Sequence, residues 1–391
     1  MFTKFSSIIF ILLLLTFPIF AQEFKLVADG IEYAEMTRGT ETEPIRLNLL
    51  RLDLTKVRLD VVHALDAAIG LEKTSSIATR HGAIAAINAG FFRLDKSIFA
   101  GDDVGVLQID GKLLSESYGN RIAMLITNNK DKTAVKFAHV EINYLVSVGK
   151  TSFDIIGVNR QRKKDEIILY TPEFHRTTLT DQEGTEVVVK KGKIVEISKR
   201  GSSFIPSDGF VLSASGKQQE QLLRWCKVGT KVSFSLVTPW VYYDNQIEQK
   251  QEEERQRPLS KIDQKDFIKV EDIVAGVPQL IKNGKIEITW EQEKSSKSFV
   301  ETKHPRTAVA KLKDGKFLMV TVDGRSESSG GMSLQQLAEF LLEQGAVDAM
   351  NLDGGGSTTM FLDGKVVNHP SDKEGERSVG DAILVFPRKK Q

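Results

Sequence analysis

Apolar and polar positions alternate in short runs from residue 24 to residue 62, with Leu47, Leu49 and Leu52 and then Val57, Leu59 and Val61 near two-residue spacing. A period of two turns one face of a pleated strand toward a core, so this stretch predicts antiparallel strands, some at the edge of a larger sheet. Short apolar runs also meet at Asp110-Gly111, Asn283-Gly284, Asp314-Gly315 and Asp363-Gly364, each followed by Lys. Such pairs suit tight hairpins, whose two central residues need positive φ. Residues 152 to 240 continue as short strands with one helical stretch, Gln218 to Trp225. They read as part of a β-rich insertion or second lobe over residues 140–246. The run Ile273 to Ile281 reads as a single strand kinked at Gly276-Val277-Pro278.

Near the C-terminus the period changes. Lys316 to Val322 is almost continuously apolar, as expected of a strand buried on both faces, and ends in Asp323-Gly324-Arg325. Ser333 followed by Gln336 is a capping-box pattern, and Leu334, Leu337, Ala338, Leu341 and Leu342 then recur at helical spacing until Gly345. A second strand, Val347 to Leu352, runs into Asp353-Gly354-Gly355-Gly356-Ser357-Thr358. Strand, helix and strand make a β-α-β unit. The expected fold class is therefore α+β, a mixed strand-rich sheet with that unit near its C-terminus and the β-rich lobe beside it.

This unit concentrates the chemistry. In a right-handed crossover the ends of both strands and the start of the helix lie on one sheet edge, so Asp323, Ser333 and Asp353 should share a crevice. Unpaired N–H groups at a helix start and in a glycine run can cradle an anion. Two carboxylates beside such a site suit catalysis, although Asp before Gly also serves simply to cap a turn. Upstream, His304-Pro305-Arg306-Thr307 enters another apolar run. Arg306 can grip a phosphate with two parallel donors and His304 can give a proton; a structural arginine fits that pattern equally. Asn88, at the end of the apolar run Ala83 to Ile87, can bind a sugar hydroxyl, and it also fits a turn.

The chain has 391 residues, enough for two lobes or one domain with a large insertion. Its first 21 residues hold one charge, Lys4, an unbroken apolar run from Ile8 to Leu15 and a small Ala21. They read as a signal peptide cleaved after Ala21, which predicts a secreted or periplasmic product, expected over residues 22–386, without a stable membrane anchor. Lys and Arg total 53 against 52 Asp and Glu, and removal of Lys4 leaves no net charge, so nucleic acid is not the expected partner. The polar stretch 247–266 reads as a charged linker. Cys226, the single cysteine, rules out an internal disulfide, and the six histidines show no pair at metal-ligand spacing. The expected chemistry requires no cofactor; calcium on oxygen ligands is the metal these residues leave open.

The ordered segments INAGFF (87–92), GVPQLIKNGKI (276–286), HPRTAVA (304–310), VDGR (322–325), GMSLQQLAEFL (331–341), NLDGGGSTTM (351–360) and Arg377-Ser378-Val379 together resemble the phosphodiester glycosidase family. Ala89 stands where Gly is expected in many relatives. The resemblance implies hydrolysis of a sugar-1-phosphodiester, with a carbohydrate phosphodiester or polysaccharide as substrate, to free sugar and a phosphomonoester. On that reading Asp353 is the first catalytic carboxylate and Asp323 the second. His304 and Arg306 complete the catalytic set, and Asn88, Arg325, Gly354, Gly355, Gly356, Ser357 and Thr358 bind substrate. Two readings stand beside it: a non-catalytic exported polysaccharide-binding or envelope-assembly protein, and a metal-dependent phosphodiesterase that attacks phosphorus.

Overall fold

The computed structural model of the chain describes residues 23–242 and 269–388, so the signal-like segment and the stretch 247–266 lie outside the described residues. The strands alternating at the N-terminus form one side of an eight-stranded sheet, in the order Lys25–Ala28, Ile31–Gly39, Pro44–Leu52, Phe317–Val322, Arg306–Leu312, Ala346–Asn351, Gln279–Lys282 and Lys285–Ile286. Arg306–Leu312 pairs antiparallel with both Phe317–Val322 and Ala346–Asn351. Those two strands therefore run the same way with a third between them, and the helix Leu334–Glu343 connects them in sequence. Their carboxyl ends and the amino end of Arg306–Leu312 lie on one sheet edge, since Arg306 pairs with Val322 and Ala308 with Asn351.

All six residues of Phe317–Val322 are buried, because both sheet faces are covered. Leu318, Val320 and Val322 pack with Leu334, Leu337, Ala338 and Leu341 of the helix. Phe317 and Met319 point the other way, into a core shared with Val57–His63, Ala85–Asn88, Met360–Leu362 and Asp381–Pro387 of a second sheet. The helix begins as its sequence dictates. Ser333 Oγ accepts from the Gln336 N–H, and the Gln336 side chain accepts in return from the Ser333 N–H. It ends before Gly345, which takes φ 85°.

Three of the four anticipated hairpins have positive φ at both central residues: Asp110 and Gly111 (50° and 74°), Asn283 and Gly284 (50° and 72°), and Asp363 and Gly364 (47° and 80°). At Asp314-Gly315 only the glycine does, at 84°, and its N–H donates to Leu312 in a longer loop. The run Ile273 to Ile281 differs from the single kinked strand expected. Asp272–Ala275 pairs within a seven-stranded sheet, whereas Gln279–Lys282 belongs to the eight-stranded one. The turn between them is where the chain passes from one sheet to another.

The seven-stranded sheet packs against a five-stranded sheet built from residues 157–214, with Leu125, Val146 and Ile273 meeting Val187, Val189 and Leu212. Its longest strand, Thr133–Val148, pairs first with Ile122–Asn128 and then with Val232–Tyr242. Residue 140, the expected boundary of the β-rich lobe, thus falls inside one continuous strand. The helical stretch is Lys217–Trp225, anchored by buried Leu222.

Candidate active site

The sheet edge defined above carries Asp323 at the exit of one strand, Asp353 at the exit of its codirectional neighbour and His304-Pro305 at the entrance of the strand between. Gly355 N–H donates to Pro305 O at 2.9 Å, and Asp353 N–H donates to Ala89 O at 2.9 Å, so the glycine loop is stitched to both adjoining segments. His304 and Met332 exchange backbone hydrogen bonds at 3.1 and 3.0 Å, which brings the approach to the helix against the same edge.

Asp353 is partly buried. Desolvation pushes its carboxyl up to about 6; the neighbouring Ser357 hydroxyl, the Gly354 N–H donating to Oδ1 at 2.9 Å and the positive charge of Arg377 oppose that rise. A carboxyl poised in this range can exchange a proton near neutral pH. Arg377 is held by Asp372 through two parallel bonds, Nε to Oδ2 at 2.7 Å and Nη2 to Oδ1 at 2.9 Å. This pair lies directly on Gly356, where any Cβ would occupy the space of Arg377 Nη2 and Asp372 Oδ1. Gly355 takes φ 61°, and a Cβ there would lie 3.0 Å from Arg325 Nη2. The glycine run therefore lets two guanidinium groups approach the backbone beside Asp353. Arg325 is exposed and has no hydrogen-bond or ion-pair partner among the described residues. Ser357 and Thr358 are buried, and neither hydroxyl reaches a partner of ordinary hydrogen-bond geometry.

Asp323 is 2% exposed and lies behind another side chain. Its Oδ1 accepts from the His369 N–H at 3.0 Å and from Asn368 Nδ2 at 3.2 Å, while Oδ2 lies 3.2 Å from His369 Nδ1. Burial raises its carboxyl above the ordinary value, against the opposing effect of these donors. His304 is partly buried; desolvation, then Arg306 and Arg325, holds its imidazole below the usual value. A neutral ring at pH 7 follows.

Two residues expected to contact substrate are committed elsewhere. Arg306 is 1% exposed, donating from Nε to Met332 O at 3.0 Å and from Nη2 to Phe299 O and Thr302 O at 2.8 Å each. Desolvation, with Arg325 nearby, pulls it down to about 10. A guanidinium spent on three carbonyls clamps the segments around the strand entrance and has no fork to offer a phosphate. Asn88 is likewise 1% exposed: Oδ1 accepts from Thr307 Oγ1 at 2.8 Å and Thr359 N–H at 3.1 Å, and Nδ2 donates to Asp353 O at 2.7 Å. It orders the loop that carries Asp353.

Sequence patterns did not single out His369, Asp372 or Arg377 as site residues. They lie in a turn-rich stretch without periodicity, and only the fold returns it to the glycine loop. Among the described residues no group of three or more His, Cys, Asp or Glu side chains is placed to hold a metal, and no helix is long and apolar enough to cross a membrane.

The family model described as phosphodiester glycosidase matches residues 183–386. N-acetylglucosamine-1-phosphodiester alpha-N-acetylglucosaminidase of Bos taurus is 40% identical over 109 residues, 26% of this chain and 20% of that protein. The Mus musculus enzyme of that name is 32% identical over 177 residues, 43% of this chain and 30% of its own length. The matched stretches thus span less than a third of these relatives. The crystal structure of a hypothetical protein from Synechocystis shares the fold, with TM-score 0.76 and 22% identity over 94% of this chain and 64% of that one. With the family match covering more than half of its residues, the chain belongs to the phosphodiester glycosidase family.

Proposed function

We propose that this protein hydrolyses a sugar-1-phosphodiester at the glycosidic carbon–oxygen bond, releasing free sugar and a phosphomonoester. The observation that carries the reading is Asp353, a carboxyl raised to about 6 inside a glycine loop flanked by Arg325 and Arg377. A phosphodiester brings one negative charge and gains a second as it leaves. Fixed cations and backbone donors that meet that growing charge lower the barrier more than they lower the ground state. Arg325, unpaired and exposed, takes the phosphate; Arg377, fixed by Asp372, sits nearer Asp353. The Asp353 carboxylate faces the positive charge that develops at the anomeric carbon and accepts the proton of the attacking water, as glycosidase carboxylates do.

The chemistry uses no cofactor. The N-terminal apolar segment supports export, which would bring the site to envelope or extracellular carbohydrate phosphodiesters. The decisive experiment is hydrolysis of sugar-1-phosphodiesters by the purified mature protein in oxygen-18 water. Attack at carbon puts the label in the sugar. Label in the phosphomonoester would replace this mechanism with attack at phosphorus, and saturable glycan binding without product would favour a binding protein.

A further inference from the structure

We propose that His369 is the general acid of this site, giving the proton on its outward ring nitrogen to the phosphate oxygen that departs from the anomeric carbon. The inference rests on the proposed reaction and assigns it a second reacting group.

Asp323 is a carboxylate held away from solvent behind the His369 ring. Buried to 2% exposure, it has both oxygens engaged, and two of its three partners belong to His369. A carboxylate oxygen can only accept, so Nδ1 of His369 carries the hydrogen that faces Asp323. That fixes the ring's orientation and its tautomer. The His369 side chain is itself 63% exposed, which leaves Nε2 open on the side away from Asp323. A buried acid that orients a solvent-facing imidazole is an arrangement suited to proton transfer.

Its location is equally specific. Asn368, the adjoining residue, donates from Nδ2 to Thr358 O at 3.0 Å and accepts from the Met360 N–H at 2.7 Å, besides donating to Asp323. The pair is therefore clamped to the exit of the glycine loop whose entrance holds Asp353. Three residues on, Asp372 grips Arg377 over Gly356. The segment 368–377 thus runs along the loop, with the Asn368–His369 pair at its Thr358 end and the Asp372–Arg377 pair over Gly356.

The proton has a destination. When the carbon–oxygen bond breaks, its electron pair stays on the bridging oxygen, and the phosphomonoester would leave as a dianion. The second ionisation of such a monoester lies near pH 6, so the bridging oxygen can hold a proton delivered from Nε2 and the group leaves as a monoanion. Water supplies the hydroxyl at carbon, Asp353 takes its remaining proton, and His369 is reprotonated from solvent, to which its ring is open.

The test compares two leaving groups. His369→Gln should lower kcat on a sugar-1-phosphate methyl diester by about 10²- to 10³-fold with KM changed only a few-fold. The loss on the matching glycosyl fluoride, whose leaving group departs without a proton, should be at least tenfold smaller. Asp323→Asn, acting through the ring, should show the same preference more weakly, and the double variant should be no worse than His369→Gln alone. His369→Asn gives a second replacement at this exposed position and should behave alike, with denaturation midpoints of both variants matching the parent. A normal diester rate in folded His369→Gln, equal losses on both substrates, or multiplicative losses in the double variant would overturn the assignment while leaving the proposed reaction intact. A parent protein that hydrolyses neither substrate would remove both.

Discussion

Asn88 donates its side-chain N–H to the backbone carbonyl of Asp353 at 2.7 Å, joining two strand exits that stand 265 residues apart. Its carbonyl oxygen accepts from Thr307 and Thr359, so one buried amide sets the position of the carboxylate loop relative to two neighbouring segments. Asn88→Ala leaves these partners buried and unsatisfied. The expected result is a loss of about 2 to 4 kcal/mol of stability and a kcat that falls more than KM rises. Urea denaturation beside steady-state kinetics checks both; a rise in KM alone would mean that the amide binds substrate.

Asp353→Asn should cost two or more orders of magnitude in kcat, since the shape is kept and the charge is lost. The parent's kcat should fall below about pH 6, as the carboxyl takes up its proton. Stability moves the other way. A carboxyl whose folded pKa is raised favours folding in its protonated form, so its ionisation weakens the fold as pH rises from the unfolded value near 4 through 6. Asp353→Asn should therefore be more stable than the parent at pH 7.5, by about 3 kcal/mol, and nearly equal to it at pH 4. Chemical denaturation at the two pH values measures this; an unchanged difference would show that the carboxyl is not desolvated.

Arg325 and Arg306 should behave differently. Arg325→Ala removes an exposed, unpaired cation and is expected to raise KM for a phosphodiester by about tenfold, with little effect on an uncharged aryl glycoside and none on the melting temperature. Arg306→Lys breaks a fork shared among three carbonyls, and a single ammonium cannot replace it. That variant should lose stability and lose activity on both substrates to a similar degree. A phosphate-specific defect in Arg306→Lys would return the anion-binding role to it.

Gly356→Ala should nearly abolish turnover, because a methyl group displaces the Arg377–Asp372 pair from the loop. Thermal denaturation should shift modestly by comparison. Retained activity would mean that Arg377 acts only as a structural ion pair.

Chelation gives a simple control. Activity should be unchanged by EDTA or by added calcium, since the proposed steps use only side chains and water. A calcium-dependent rate would call for oxygen ligands in the site.

Much of the local structure follows from the sequence by itself. Ser333 and Gln336 form the predicted reciprocal cap, Phe317–Val322 is buried on both faces as its unbroken apolar run requires, and the pairs at 110, 283 and 363 adopt the turn their residue types favour. These are outcomes of short-range sterics and periodic burial, which act within a few residues. Which side chains face the glycine loop is a tertiary matter. Arg306 and Asn88 carry the chemistry of ligand binders, yet at the ends of their strands they are buried among carbonyls and hydroxyls that must be satisfied. His369 and Arg377 sit in an aperiodic stretch, and only the strands Met360–Leu362 and Asp381–Pro387, each pairing with Ala85–Asn88, bring the intervening chain back over Gly356. Residue type determined what these groups can do; the cost of leaving buried polar groups unpaired decided which of them stayed free to do it.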